Sequence, residues 1–189
     1  SVGIGRDFFG RSPLARELYA RADEVLGFPV SKLSFEGPEP DLRLTENTQP
    51  ALLVAGVVAC RLLDLEPAVA AGHSLGEYSA LVAAGALKFE DAVLLVHKRG
   101  RYMQEAVPVG TGAMAAGLGL PGAEIEKALG GVRSGVVDIA NWNSEEQTVI
   151  SGEKAAVEEA LALIKPPRSV MLPVSAPFHS RLMKPAEDR

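Results

Sequence analysis

The sequence predicts an α/β protein in two parts: a parallel-sheet body and an inserted ferredoxin-like βαββαβ small domain. Three observations carry this. The short apolar run Ala68-Val69-Ala70-Ala71 feeds into a Gly-x-Ser-x-Gly turn and then a helical stretch. Helical patterns surround that run on both sides. After Pro108 the texture changes to short strand-like runs separated by two helices. The expected boundaries are 1–108 for the first part of the body, 109–175 for the small domain and 176–189 for the return to the body.

Each element has a local cause. Ser12 reads as an N-cap, Pro13 occupies the first helical position, and the helix Leu14–Leu26 closes at Gly27. Pro38, Glu39 and Pro40 break the chain into a loop. Thr48-Gln49-Pro50 opens an apolar helix through about Leu63. Ala68–Ala71 is a buried-strand candidate, followed by helices to about Ala84 and over Phe89–Gln104. Strand beside helix in this order indicates a parallel layer. Beyond it, strands are expected at Met114–Leu118, Val136–Asn141, Gln147–Ile150 and Ser169–Val174. Helices are expected at Ala123–Leu129 and Glu153–Ile164, which gives the βαββαβ order of a split βαβ unit. Leu182–Arg189 starts a further helix.

Composition narrows the function. Of 189 residues, 47% are hydrophobic and 23% charged, as in a globular domain, and a net charge of -5 gives no electrostatic reason to expect nucleic acid. An anionic substrate would need a local positive charge. The single cysteine, Cys60, cannot form an intrachain disulfide and reads as a buried structural thiol within Ala51–Leu63. The sequence has no metal-ligand spacing, no phosphate loop, no apolar run of membrane-span length and no signal peptide. A cytoplasmic, reducing compartment follows as the expectation.

Gly72-His73-Ser74-Leu75-Gly76, after a strand and before a helix, is a nucleophile elbow. It exposes the Ser74 hydroxyl and puts the Leu75 N–H at a helix start, where it can stabilise an oxyanion. A serine nucleophile needs a base. His73 precedes the nucleophile and should point away from it. His97 lies mid-helix beside Lys98. His179 follows the last strand, where α/β folds place reactive groups, and is the expected base. Arg99 falls on one stripe with Ala92, Val96 and Met103, and Gly100 beside it permits close backbone approach. A charge facing a core needs a partner. That partner is either an internal carboxylate such as Glu77 or a substrate carboxylate gripped in bidentate fashion.

These segments resemble the malonyl-CoA:acyl-carrier-protein transacylases. The resemblance rests on Thr48–Leu52, Ala71–Ala80, Arg99–Ala106, Gly112–Ala116, Asn141–Ser144 and Val174–Ser180, in family order along nearly the whole chain. It implies Ser74 as nucleophile, His179 as its base, Arg99 as the partner of the malonyl carboxylate and the Leu75 amide as one oxyanion donor. Phe178 would narrow the space near the substrate's α-carbon. The family's other oxyanion donor, a glutamine in a Gly-Gln-Gly-Ser-Gln motif, has no counterpart ahead of Ser1–Arg6. The resemblance therefore implies an α/β-hydrolase-like body incomplete at both ends. It further implies malonyl-CoA and acyl carrier protein as partners, no metal or other cofactor, no membrane association and a monomer.

Two rivals remain at this stage. A serine hydrolase or thioesterase would order its triad as Ser, acid, His, and Asp91 and Asp138 both lie between Ser74 and His179. A non-catalytic module of a larger synthase is the second.

Overall fold

Ser12, Pro13 and Gly27 act as their sequence suggests. In the computed structural model, which describes residues 1–64, 67–108, 110–174 and 176–189, the Ser12 hydroxyl accepts the Ala15 N–H at 3.3 Å. Pro13 starts the helix, and Gly27 ends it with a left-handed backbone. The chain divides into two compact units, Ser1–Arg101 and Tyr102–Arg189.

The first unit is helical among its described residues. It contains α1 (Arg6–Arg11), α2 (Pro13–Leu26), α3 (Val30–Glu36), α4 (Glu39–Leu42), α5 (Thr45–Leu62), α6 (Gly76–Ala83) and most of α7 (Phe89–Glu105). Its core joins Leu18 and Tyr19 of α2, Leu53, Val54 and Val58 of α5, and Val93 and Val96 of α7. Three short helices escaped the sequence pattern. Pro38-Glu39-Pro40, expected as a loop, begins the single turn α4, because proline is tolerated in a first helical turn.

The expected strand at Ala68–Ala71 is corrected. Those residues are exposed and carry no strand, with Val69 84% accessible. A parallel strand forms only against neighbouring strands, and the first unit has none among its described residues. Cys60 is half-buried rather than buried.

The second unit carries β1 (Gly112–Leu118), α8 (Gly122–Leu129), β2 (Val137–Ser144), β3 (Gln147–Glu153), α9 (Lys154–Ile164), β4 (Arg168–Met171) and a 3-10 turn at Arg181–Met183 before α10 (Lys184–Glu187). The element order is βαββαβ, and the strands lie in the order β2-β3-β1-β4, every neighbouring pair antiparallel. Two expected small-domain boundary residues, Val109 and Ser175, lie outside the described residues.

Period-2 alternation gives this sheet two faces. Ala113, Ala115 and Ile150 pack with Ile125 of α8 and Val157 of α9. Met114, Ala116 and Val149 face the other way, against Leu172, Val174 and Phe178. The segment after β4 thus returns across the face that no helix of the pair α8 and α9 covers. No helix among the described residues is long and apolar enough to cross a membrane.

Candidate active site

Ser74 sits in a left-handed backbone, φ 52, immediately before Leu75, the N-cap of α6. The turn is fixed by Gly72. A Cβ there would lie 1.9 Å from the Gly76 carbonyl carbon and 2.5 Å from the Glu77 nitrogen, both backbone atoms that cannot rotate aside. Gly76 needs no such room, so of the two elbow glycines only Gly72 is sterically required. The first turn of the helix donates back to the elbow: the Glu77 N–H reaches the Ser74 carbonyl at 3.2 Å. Among the described residues the Leu75 N–H makes no hydrogen bond, leaving it open to an oxyanion.

Arg99 reaches this turn from α7. Its Nη1 donates to Gln49 Oε1 at 2.6 Å and its Nη2 to Ser74 Oγ at 3.4 Å, and the guanidinium lies 5.8 Å from the centre of the Tyr78 ring. Burial pushes the guanidinium below its ordinary value, against the opposing fields of Tyr78 and Glu77. It stays charged across the physiological range. Among the described residues Arg99 has no ion pair, and Glu77 acts on it only through its longer-range field. A half-buried cation whose partners are an amide oxygen and a hydroxyl retains capacity for an incoming carboxylate.

The sequence marks Gln49 only as part of the Thr48–Leu52 segment and not as a partner of Arg99, because 50 residues separate the two. Its signal was a polar side chain next to Pro50 inside an apolar helix. Pro50 lacks an N–H, so it leaves the Glu46 carbonyl of α5 without its helical donor. His97 Nδ1 of α7 takes that carbonyl at 2.9 Å, which requires the tautomer protonated at Nδ1. Beside it, Gly100 lets α7 touch α5: a Cβ would stand 2.5 Å from the Thr45 carbonyl oxygen and 2.6 Å from the Glu46 Cα. Pro50, His97 and Gly100 together set the spacing that lets Arg99 meet Gln49. His97 is a clamp between helices.

His73 is exposed. His179 and Phe178 belong to the second unit. His179 is exposed and has φ 61, in a turn closed by Ser180 N–H to the Pro177 carbonyl at 3.4 Å and Ser180 Oγ to the same oxygen at 2.8 Å. Phe178 is half-buried against Met114, Ala116 and Val149. Asp138, one of the acids open to a hydrolase triad, spends both carboxylate oxygens on Arg181. Asp91, the other, is exposed at the start of α7.

Residues 2–189 match the model of the acyl transferase domain. The chain belongs to the acyl transferase domain family. Within that family it is 49% identical over 197 residues to the malonyl CoA-acyl carrier protein transacylase of Escherichia coli K12, with all of this chain and 64% of that protein covered. The malonyl CoA-acyl carrier protein transacylase structure from Coxiella burnetii superimposes with a TM-score of 0.96 at 47% identity, covering 100% of this chain and 62% of that one. A type II PKS acyl-carrier protein in complex with its malonyl-transacylase gives 0.96 at 44% identity, covering 100% and 63%. The acyl transferase chain thus spans somewhat under two thirds of the length of these relatives.

Proposed function

We propose that this chain forms the catalytic part of an enzyme that transfers a malonyl group from malonyl-CoA to the phosphopantetheine thiol of acyl carrier protein, in the cytoplasm, for fatty-acid or polyketide elongation. The observation that carries the reading is the Arg99 guanidinium beside Ser74 Oγ, held by Gln49 and without an ion-pair partner among the described residues. Hydrolysis of a neutral ester has no use for such a cation. In this reading residues 1–108 and 176–189 belong to an α/β-hydrolase-like parallel-sheet body, and residues 109–175 form an inserted ferredoxin-like domain.

The reaction has two halves. Ser74 Oγ attacks the thioester carbonyl while His179 takes its proton, and the new oxyanion is held by the Leu75 N–H. The carbon–sulfur bond breaks, and the CoA sulfur leaves with the proton from His179. The pantetheine thiol then gives its proton to His179 and attacks the malonyl-Ser74 ester, which returns Ser74 as a hydroxyl. Arg99 holds the malonyl carboxylate through both halves, and Phe178 limits branching at the α-carbon. These steps call on no metal or redox cofactor, and the protein acts as a monomer.

Incubation of the protein at its natural length with malonyl-CoA should leave a malonyl adduct on the peptide bearing Ser74, and Ser74→Ala should leave none. Adding carrier protein should discharge the adduct onto the pantetheine. Release of free malonate in place of carrier loading would identify a hydrolase, and an adduct elsewhere would sink the assignment of Ser74.

A further inference from the structure

The turn that carries His179 is gripped on both sides by the sheet of its own unit. Before it, Pro177 lies against β1: a Cβ on Gly112 would stand 2.3 Å from the proline Cδ. At its centre, Phe178 packs on the apolar face of the same sheet. After it, Arg181 is bound by Asp138 of β2 through four contacts. Asp138 Oδ2 accepts the Arg181 backbone N–H at 2.8 Å and Nε at 3.1 Å; Oδ1 accepts Nε at 2.9 Å and Nη2 at 2.5 Å. This fork-on-fork pair adds a backbone bond to the side-chain ones, so it fixes the main chain two residues from His179 as well as the side chain.

The pair is unusual in its placement. Asp138 is only 18% accessible, whereas the Arg181 side chain is 71% accessible. Burial raises the Asp138 carboxyl, but the hydrogen bonds from Arg181 outweigh it and leave the group below its ordinary value. Its partner across the strands, Ser151, is fully buried and its hydroxyl makes no hydrogen bond to Asp138 among the described residues, so the bonds from Arg181 are the ones that act on this carboxylate. Asp138 holds Arg181, the first residue of the 3-10 turn and two residues beyond His179, whose own backbone lies in the left-handed region that few side chains adopt.

We infer that Asp138 and Arg181 are positioning residues for His179: the pair locks the turn Pro177–Ser180 so that the imidazole is presented in one orientation. This rests on the reading of His179 as the general base. The pair touches no substrate in this account and acts through the histidine alone. It also explains why Asp138 is an acid without being a triad member.

Arg181→Gln and Asp138→Asn remove the charge and keep the bulk. In the protein at its natural length, each should lower kcat for malonyl transfer by about tenfold, the scale expected when a reacting group is misplaced by a fraction of an ångström. KM for malonyl-CoA should stay within about twofold, because ground-state binding is untouched. Arg181→Lys should recover kcat only partly, having one donor direction where the fork had two. A second readout needs no transfer: the His179 ring Cε1–H resonance, assigned with His179→Gln, should broaden or split in both charge-removal variants and stay single in the parent. If the parent fails to transfer malonyl, the functional reading falls, while the resonance still decides the positioning role. Unchanged kcat with one sharp His179 resonance in both variants overturns the inference. So does a rise in KM at constant kcat, or a lower melting temperature alone.

Discussion

Replacing Gly100 with alanine tests whether the α5–α7 spacing sets substrate choice. The new Cβ would fall 2.5 Å from the Thr45 carbonyl oxygen, 2.6 Å from the Glu46 Cα and 2.7 Å from the Thr45 carbonyl carbon, where ordinary contact begins at 3.4 Å. All three atoms are backbone, so relief requires the two helices to part by about 0.9 Å, the difference between 3.4 and 2.5 Å. Along the Arg99–Gln49 bond, the same displacement turns 2.6 Å into about 3.5 Å, outside hydrogen-bond range. The His97–Glu46 bond at 2.9 Å lengthens with it. Overpacking of this kind costs about 1–3 kcal/mol of stability. Losing a hydrogen bond to a charged group is worth roughly 1.5–3 kcal/mol, so preference for malonyl over acetyl should fall by about tenfold or more. The assay is parallel transfer of malonyl and acetyl groups, with thermal melting on the same samples. Gln49→Ala separates the two effects, losing the preference without the steric cost. A Gly100→Ala protein with parental melting and parental preference refutes the argument.

The other predictions follow from single residues. Arg99→Ala removes both the attraction for malonyl and the penalty for acetyl, so the preference should reverse, from a discrimination of up to roughly 10⁴–10⁵-fold; Arg99→Lys should restore malonyl transfer only in part. An unchanged malonyl-to-acetyl ratio in Arg99→Ala would make it a structural cation. His179→Ala should slow acylation and deacylation alike by about 10²–10⁴-fold, measured as single-turnover rates, while His97→Ala lowers melting temperature more than it lowers rate. Tyr19, fully buried, has its phenol raised from 10.0 to about 12, by burial first and the Asp23 field second. The unfolded chain releases that proton sooner, so stability that is intact below pH 10 drains away as pH rises towards 12. The unfolding free energy from urea titrations should therefore fall less between about pH 9 and 11.5 in Tyr19→Phe, by roughly 2 kcal/mol, and equal falls in both proteins would show that the phenol is not the cause.

What was legible in the sequence was local. The helix between Ser12 and Gly27 declares itself through capping chemistry that needs no tertiary partner. The βαββαβ elements of the second unit show as alternation and helical period within windows of a few residues, and the observed strands differ from the expected ones mainly at their ends. At Ala68–Ala71 the expected strand is absent, because an apolar run says only that a segment suits burial. Whether it becomes a strand depends on neighbours that the run does not encode. The partnership of Arg99 was likewise undecidable from its stripe: the pattern gave a charge beside a core, and only the packing of α5 on α7 brought Gln49 to it. Gly100 was readable as a point of close approach, but the carbonyl it approaches was not. That carbonyl neighbours the one freed by Pro50, a residue that looked like a helix opener and lies inside the helix.

Backbone strain supplies an argument that no sequence pattern could. Among the described residues, four that are not glycine have φ in the left-handed region: Asp64, Ser74, Lys165 and His179, at 49, 52, 47 and 61°. Two have an ordinary cause. Lys165 is the C-cap of α9, its N–H returning to the Leu161 carbonyl, and Asp64 directly follows the C-cap of α5. Helices often end in this conformation. Ser74 and His179 end no helix. Each such residue costs on the order of 1–3 kcal/mol and persists only where its surroundings leave no alternative. Around Ser74 the constraint is the Gly72 contact with the backbone of α6; around His179 it is the Pro177–Ser180 turn and the grip of Asp138 on Arg181. The two residues read as nucleophile and base are therefore the two whose strain helix capping leaves unexplained. Their local surroundings, in separate units, hold each one against its own backbone preference.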